Sequence, residues 1–311
     1  MMSSVPISQP LANQYLVADS TVAVIHLKHP AQRVVCLSAS GLDVLLELGL
    51  EPAGGLSNGV ARQPEFYGER SQQWIDVGSW LVPNFAAIRR AKPDLILGWQ
   101  FPHRFYRWTL ADIAPVYLMG GSGYEEAILR LLDMACLTGR MAAAEAAIAT
   151  LDQQIETYRQ RLQHQPHKTV LVMGGSMFNC WLNRYPVETH TGTLGSVLQQ
   201  FTRFPWSKPA PERGEAGLTY LSLQNIAIVD PDVIFVQSYG PTATPLSKRL
   251  ASHPTWQQLK AVKTQQVYEI EQFWHWGNGT RLIRLMLEQL LPVIYPSAFQ
   301  NRQGCLKADS P

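Results

Sequence analysis

Hydrophobic positions along the chain change period several times, and each change marks an element. Arg33-Val34-Val35-Cys36-Leu37-Ser38 and Lys168-Thr169-Val170-Leu171-Val172-Met173 hold short continuous apolar runs. Runs of this length, rich in β-branched residues, predict strands buried on both faces, as parallel strands are. Between them the period lengthens: Met141, Ala144, Ile148, Leu151, Ile155, Tyr158 and Leu162 recur at spacings of three and four. Residues 140–165 contain no Pro or Gly, and Ala dominates the first half, so the stretch predicts a helix. About 24 residues at 1.5 Å each would span roughly 36 Å, enough to run along two neighbouring lobes. A coiled-coil seam would share this spacing, but a single stretch bounded by strands favours a strut.

Two other segments repeat one another. Phe85-Ala86-Ala87-Ile88 leads through Lys92 into Pro93-Asp94-Leu95-Ile96-Leu97, and Leu223-Gln224-Asn225-Ile226 leads through Asp230 into Pro231-Asp232-Val233-Ile234-Phe235. Each reads as a short helix, a proline that ends it, and a buried strand. With the strand pair upstream, this predicts an α/β fold of two Rossmann-like lobes joined by a single long rigid helix, with a cleft between the lobes. The expected division is an N-terminal extension over 1–30, a first lobe over 31–139, the helix over 140–166, a second lobe over 167–298 and a tail over 299–311.

Composition narrows the function. Of 311 residues, 16% are charged, against about 25% in ordinary domains. A chain that is 46% hydrophobic is not a disordered tail. A formal net charge of +2 with no basic cluster gives no basis for nucleic-acid binding. No apolar run approaches the ~20 residues of a spanning helix. Residues 1–30 lack a basic start followed by an apolar segment, the longest such run being Val22–Ile25, so no signal peptide is expected in this chain. Cys36, Cys136, Cys180 and Cys305 are far apart and form no CxxC pair, which argues against a thiolate zinc site. Cys36 is expected as a small buried hydrophobe.

Nucleotide-binding P-loops, HExxH and GxSxG are absent, so the usual signatures of those enzymes are missing. Gly120-Gly121-Ser122-Gly123 and Gly174-Gly175-Ser176 follow predicted strands; they resemble phosphate cradles but are expected to be simple turns. His103, His190 and His275 fall in post-strand loops without metal-ligand spacing, and no metal site is expected. The aromatic residues carry the clearest bias. Trp80, Trp99, Trp181, Trp206, Trp274 and Trp276 fall at predicted strand ends or in loops, which suits a cleft wall with flat apolar surface. Trp74, Trp108 and Trp256 are expected in the core. Arg62, Arg104, Arg107 and Arg281 lie in the same kind of loop and suit carboxylate or hydroxamate oxygens.

Several motifs in order resemble one family. Arg33 to Ser40 with Leu45-Leu46-Glu47-Leu48-Gly49-Leu50, then Asp76-Val77-Gly78, Pro83-Asn84-Phe85, Lys92-Pro93-Asp94 and Leu137-Thr138-Gly139-Arg140, are similar to periplasmic binding proteins for iron(III)-siderophores and cobalamin. Asp230-Pro231-Asp232-Val233-Ile234, His253-Pro254-Thr255-Trp256 and the run from Ala261 to Tyr268 continue the pattern, so the resemblance covers roughly residues 20–295.

The resemblance implies a non-enzymatic, monomeric substrate-binding protein. It would deliver a chelate to an ABC permease from the periplasm or cell surface, with the cytoplasm as the alternative where no signal peptide precedes the chain. The implied ligand is an iron(III)-siderophore, with cobalamin or another corrinoid as the alternative, and no covalently bound cofactor. Trp80 stands where the cobalamin binder has a stacking Trp and the ferric-hydroxamate binder an Arg, while Trp274-His275-Trp276-Gly277 is similar to the latter's aromatic cleft segment. The expected ligand set is therefore Trp80, Trp99, Arg104, Trp181, Trp274, Trp276 and Arg62. The family's two permease-docking glutamates correspond to Ala86 and Gln224, neither of which can form a charged pair. Glu65, Glu69, Glu212 and Glu215 are the nearby acids available to replace them. An enzyme or sensor on the same scaffold is the alternative of another class; an enzyme would need a nucleophile–base pair or redox group, and none stands out.

Overall fold

The computed structural model describes residues 15–56, 67–207, 217–238, 244–270 and 279–299. The described residues begin with a hairpin, β1 (Tyr15–Ala18) against β2 (Val24–Leu27). Its turn residue Asp19 is buried and fastens the hairpin to the first lobe. The carboxylate accepts the Leu118 N–H at 3.1 Å and pairs with Arg107 at 2.8 Å. Part of the expected N-terminal extension is thus built into the lobe.

The first lobe continues through β3 (Val34–Cys36), α1 (Ala39–Glu47), β4 (Gly54–Gly55), β5 (Ile75–Asp76), α2 (Phe85–Ala91), β6 (Leu95–Trp99), β7 (Val116–Met119) and α3 (Tyr124–Thr138). Its five strands are parallel in the order β5-β4-β3-β6-β7. Period-two alternation divides the sheet's side chains between two cores. Val34, Cys36, Leu95 and Leu97 pack on one face; Val35, Ile96 and Leu118 pack with Ile88 on the other. This is why the strands read as unbroken apolar runs.

Helix α4 (Met141–Leu162) joins the lobes, burying Ala144, Ala147, Leu151, Ile155, Tyr158 and Leu162 along one stripe. The second lobe holds β8 (Val170–Gly175), α5 (Met177–Leu182), β9 (Tyr185–Glu188), α6 (Thr193–Leu198), β10 (Leu218–Leu221), α7 (Leu223–Val229), β11 (Val233–Ser238) and β12 (Val267–Ile270). Its sheet order is β10-β9-β8-β11-β12. Strands β8, β11 and β12 are parallel, but β9 runs antiparallel to both β8 and β10. The lobes are therefore less alike than the sequence repeat implies. A parallel return needs a crossover of a dozen or more residues, and the six-residue α5 ends on Asn183 in the left-handed region, too soon for one.

The internal repeat itself is structural. Helices α2 and α7 are each seven residues long, capped by Asn84 and Ser222, and each ends on a left-handed residue, Lys92 or Asp230. The aspartate after each proline then ties two strands together. Asp94 accepts the Gln32 and Arg33 N–H groups at 2.7 and 2.9 Å, ahead of β3. Asp232 accepts the Thr169 N–H at 2.7 Å, ahead of β8, and pairs with Lys260.

A further helix, α8 (Thr280–Ile294), lies beside α4, with Gln154 Nε2 donating to the Arg284 carbonyl at 3.4 Å. Its start abuts α1 of the first lobe. Its end reaches Tyr295, whose hydroxyl donates to the Phe201 carbonyl at 2.8 Å in the second lobe.

Candidate ligand-binding cleft

In open α/β sheets, ligands sit outside the carboxyl ends of strands where the strand order reverses. Those switch points fall between β3 and β6 in the first sheet and between β8 and β11 in the second. The segments leaving β6 and β8 carry much of the exposed aromatic surface.

At the exit of β6, the Trp99 N–H donates to His103 Nδ1 at 2.8 Å, closing the turn. Burial pushes the His103 pKa down to about 4, against opposing backbone hydrogen bonds, so the ring is neutral. With Nδ1 accepting from the Trp99 backbone, the neutral ring carries its proton on Nε2, and His103 closes the turn. Edge-to-face contacts then build a platform. The Trp80 ring lies 6.1 Å from Phe101 and 6.5 Å from His103, and Phe101 lies 6.0 Å from Phe105. Phe101 and Phe105 are both exposed, and the Arg104 guanidinium lies 4.8 Å over the Phe105 ring with no carboxylate partner among the described residues. Trp99 is half-buried, with the Arg130 guanidinium 5.4 Å from its ring. Arg130 is itself buried, donates to the Gly120 carbonyl at 2.5 Å, and is pushed down by that burial to about 10. Trp80 and Arg104 are thus linked through Phe101 and Phe105, and the Trp99 backbone joins the same turn through His103. Phe101 and Phe105 escaped the sequence reading, although two phenylalanines flanking Pro102-His103-Arg104 in a post-strand turn carry the signal.

At the exit of β8, Ser176 caps α5. Its hydroxyl accepts the Phe178 N–H at 3.2 Å, and Asn179 Oδ1 accepts the Ser176 N–H at 2.8 Å. The capped turn holds Met177, Phe178, Trp181 and Leu182 in solvent, Trp181 with 75% of its surface exposed. Met177 and Phe178 join the expected Trp181. Trp274, Trp276, Arg62 and His275 lie outside the described residues.

Other expectations are corrected. Trp206 is core, 3% exposed, its Nε1 donating to the Val170 carbonyl at 2.6 Å. Trp108, expected in the core, is 85% exposed, because the short helix Arg107–Ala111 turns Leu110 inward instead. Trp74 and Trp256 are buried as expected. Arg107 is committed to Asp19 and Arg281 to Asp43, so neither is a free cation for a ligand.

The Gly120–Gly123 loop is a seam between lobes. Ser122 donates to the Thr191 carbonyl at 3.0 Å and the Tyr124 N–H donates to Ser196 Oγ at 2.9 Å, which uses donors that a phosphate would need. Among the described residues no three His, Cys, Asp or Glu side chains converge on a metal position. Ala86 and Gln224 both occupy the second position of their repeated helices and are exposed, and Gln224 Oε1 accepts from Asn183 Nδ2 at 2.7 Å. Of the four nearby acids, only Glu69 is among the described residues; it is exposed at the start of the turn Glu69–Gln73.

The two sheets and the helix that joins them define a two-lobed α/β protein. Residues 34–272 match the periplasmic binding protein family, to which the chain belongs. The family is one of binding proteins, not of enzymes. Among curated relatives, the achromobactin-binding periplasmic protein of Dickeya dadantii is 25% identical over 273 residues, 84% of this chain and 86% of that protein. The Fe(3+) dicitrate-binding periplasmic protein FecB of Escherichia coli is 28% identical over 248 residues, 79% and 78% of the two chains. Among solved structures, Staphylococcus aureus SirA complexed with staphyloferrin B superposes with a TM-score of 0.71 at 19% identity, covering 90% of this chain and 98% of that one. That last likeness concerns the fold.

Proposed function

We propose that this chain is the substrate-binding protein of an ABC importer and takes up an iron(III)-siderophore or ferric citrate-type chelate between its lobes. The observation that carries this reading is the pairing of family membership with exposed aromatic groups at the switch-point exits of β6 and β8. Trp80, Phe101 and Phe105 would supply one wall, Phe178 and Trp181 the other, and Arg104 a cation for the chelate's oxygens. Iron is favoured over a corrinoid because the Escherichia coli relative described above is named for Fe(3+) dicitrate. Their periplasmic names support a site of action outside the cytoplasmic membrane, and no described helix is long and apolar enough to cross a membrane. Partnership with a permease follows from the same reading, with Ala86 and Gln224 as uncharged docking positions.

Tryptophan fluorescence tests this directly. Titration with ferric citrate and with ferric hydroxamate and catecholate chelates is expected to quench emission saturably at micromolar concentration for at least one. Absence of saturable quenching across the panel would overturn the reading.

A further inference from the structure

The two walls at the strand exits turn their polar atoms inward and their apolar groups outward. Around α5, the Ser176 hydroxyl donates to Asn179 Oδ1 at 3.1 Å and Asn179 Nδ2 donates to the Arg184 carbonyl at 2.9 Å, in addition to the capping bonds. Asn183 Oδ1 accepts the Leu223 N–H at 3.1 Å, and its Nδ2 is engaged by Gln224. What faces solvent is apolar. Met177 with Trp181, and Phe178 with Leu182, lie about one turn apart on the helix, and all four are 46–75% exposed.

The first wall repeats this division. Beyond β5, Ser79 Oγ accepts the Val82 N–H at 3.1 Å, and the Tyr106 hydroxyl donates to the Leu81 carbonyl at 3.1 Å. Leu81 and Val82 stand exposed next in the chain to Trp80, whose platform adds exposed Phe101 and Phe105. Each wall also carries one exposed guanidinium without a carboxylate partner among the described residues. These are Arg104 on the first wall and Arg184, two residues past α5, on the second.

We propose that the cognate chelate is amphiphilic, an anionic iron-binding head with an apolar arm, aryl or acyl, that lies along these walls. This rests on the reading of the cleft as the ligand site and narrows it. A ferric citrate complex presents carboxylate and hydroxyl oxygens over its surface. The side chains of Ser176, Asn179 and Asn183 already hold the turn, so pressing such a complex against α5 strips water from its oxygens with little return in hydrogen bonds. An apolar arm covers the same residues favourably, and the two guanidinium groups suit the charge of the head. Covering roughly 110 Å² of this apolar surface corresponds to about 100-fold in Kd.

A matched series of ferric chelates tests the proposal. One citrate-based dihydroxamate head is prepared with acetyl, octanoyl or benzoyl arms, so that the iron ligands and net charge stay constant. These and ferric citrate are titrated into the full chain by isothermal titration, below the concentration at which the octanoyl compound forms micelles. The octanoyl or the benzoyl chelate is expected to bind about 100-fold tighter than the acetyl one, and the tighter of the two identifies the arm as acyl or aryl. Phe178→Ala should reduce that preference about tenfold. Affinities for all three arms within about threefold of one another, or ferric citrate binding tightest, would overturn the proposal and leave the cleft as a chelate site. Absence of binding by every member, ferric citrate included, would overturn the reading of the site itself and this proposal with it.

Discussion

Replacing Trp181 by Ala separates a ligand wall from a structural tryptophan. A tryptophan offers at most about 250 Å² to bury, and 75% of Trp181 is in solvent. If a chelate covers half of that exposed area, roughly 90 Å² at about 25 cal/mol/Å² contributes about 2 kcal/mol, or about 30-fold in Kd. The same exposure means that the fold loses little, within about 0.5 kcal/mol, as for ordinary surface changes. Isothermal titration with the chelate that quenches the parent protein gives the first quantity, and urea unfolding without ligand gives the second. Affinity within twofold of the parent, or a stability loss above about 1 kcal/mol, would refute the placement of Trp181 on a ligand surface.

Trp206→Ala should behave in the opposite way. Its burial and its bond to Val170 predict a loss of about 3–5 kcal/mol in urea unfolding. Gly279→Ala forces a methyl group into the Asp43 carboxylate and is expected to destabilise by about 1–3 kcal/mol in the same assay. Burial also pushes Asp43 and Glu188 up to about 7, against hydrogen bonds that oppose it. The folded chain therefore holds protons that the unfolded chain releases near pH 4, and these two groups lower stability as pH rises from about 4 through 7. The urea midpoint should be higher at pH 5 than at pH 8, with the difference reduced in Asp43→Asn. A midpoint that rises with pH over this window would contradict the assignment.

Legibility in the sequence followed how local the physics is. The two Pro-Asp segments were readable because a helix end, a proline and a strand start are neighbours in the chain. Their bonds to Gln32, Arg33 and Thr169, across the sheet, could be known only from the fold. The apolar stripe of α4 was readable for the same reason, whereas α8 as a second bridge depends on Asp43 and Arg281, far apart in sequence. The antiparallel β9 follows from a nine-residue return after β8, a length that was present in the sequence but not weighed.

The tryptophans show the boundary most clearly. Trp181 and Trp206 both follow apolar segments, yet one stands on a capped helix in solvent and the other plugs the second-lobe core beneath β8. Composition cannot separate them, since a loop residue's fate depends on which way the chain folds back. Phe101 and Phe105 illustrate the converse: counting only tryptophans missed half of the platform on which Trp80 packs.

The central claim is that the chain binds a ferric chelate and leaves it chemically unchanged. Native mass spectrometry of the full chain, after incubation with ferric citrate, a panel of ferric siderophores, cobalamin and haem, tests it most directly. The account predicts a one-to-one complex with at least one ferric chelate, whose mass is intact on release. No complex with any ferric member of the panel, or a chelate returned altered in mass or stripped of iron, would contradict it.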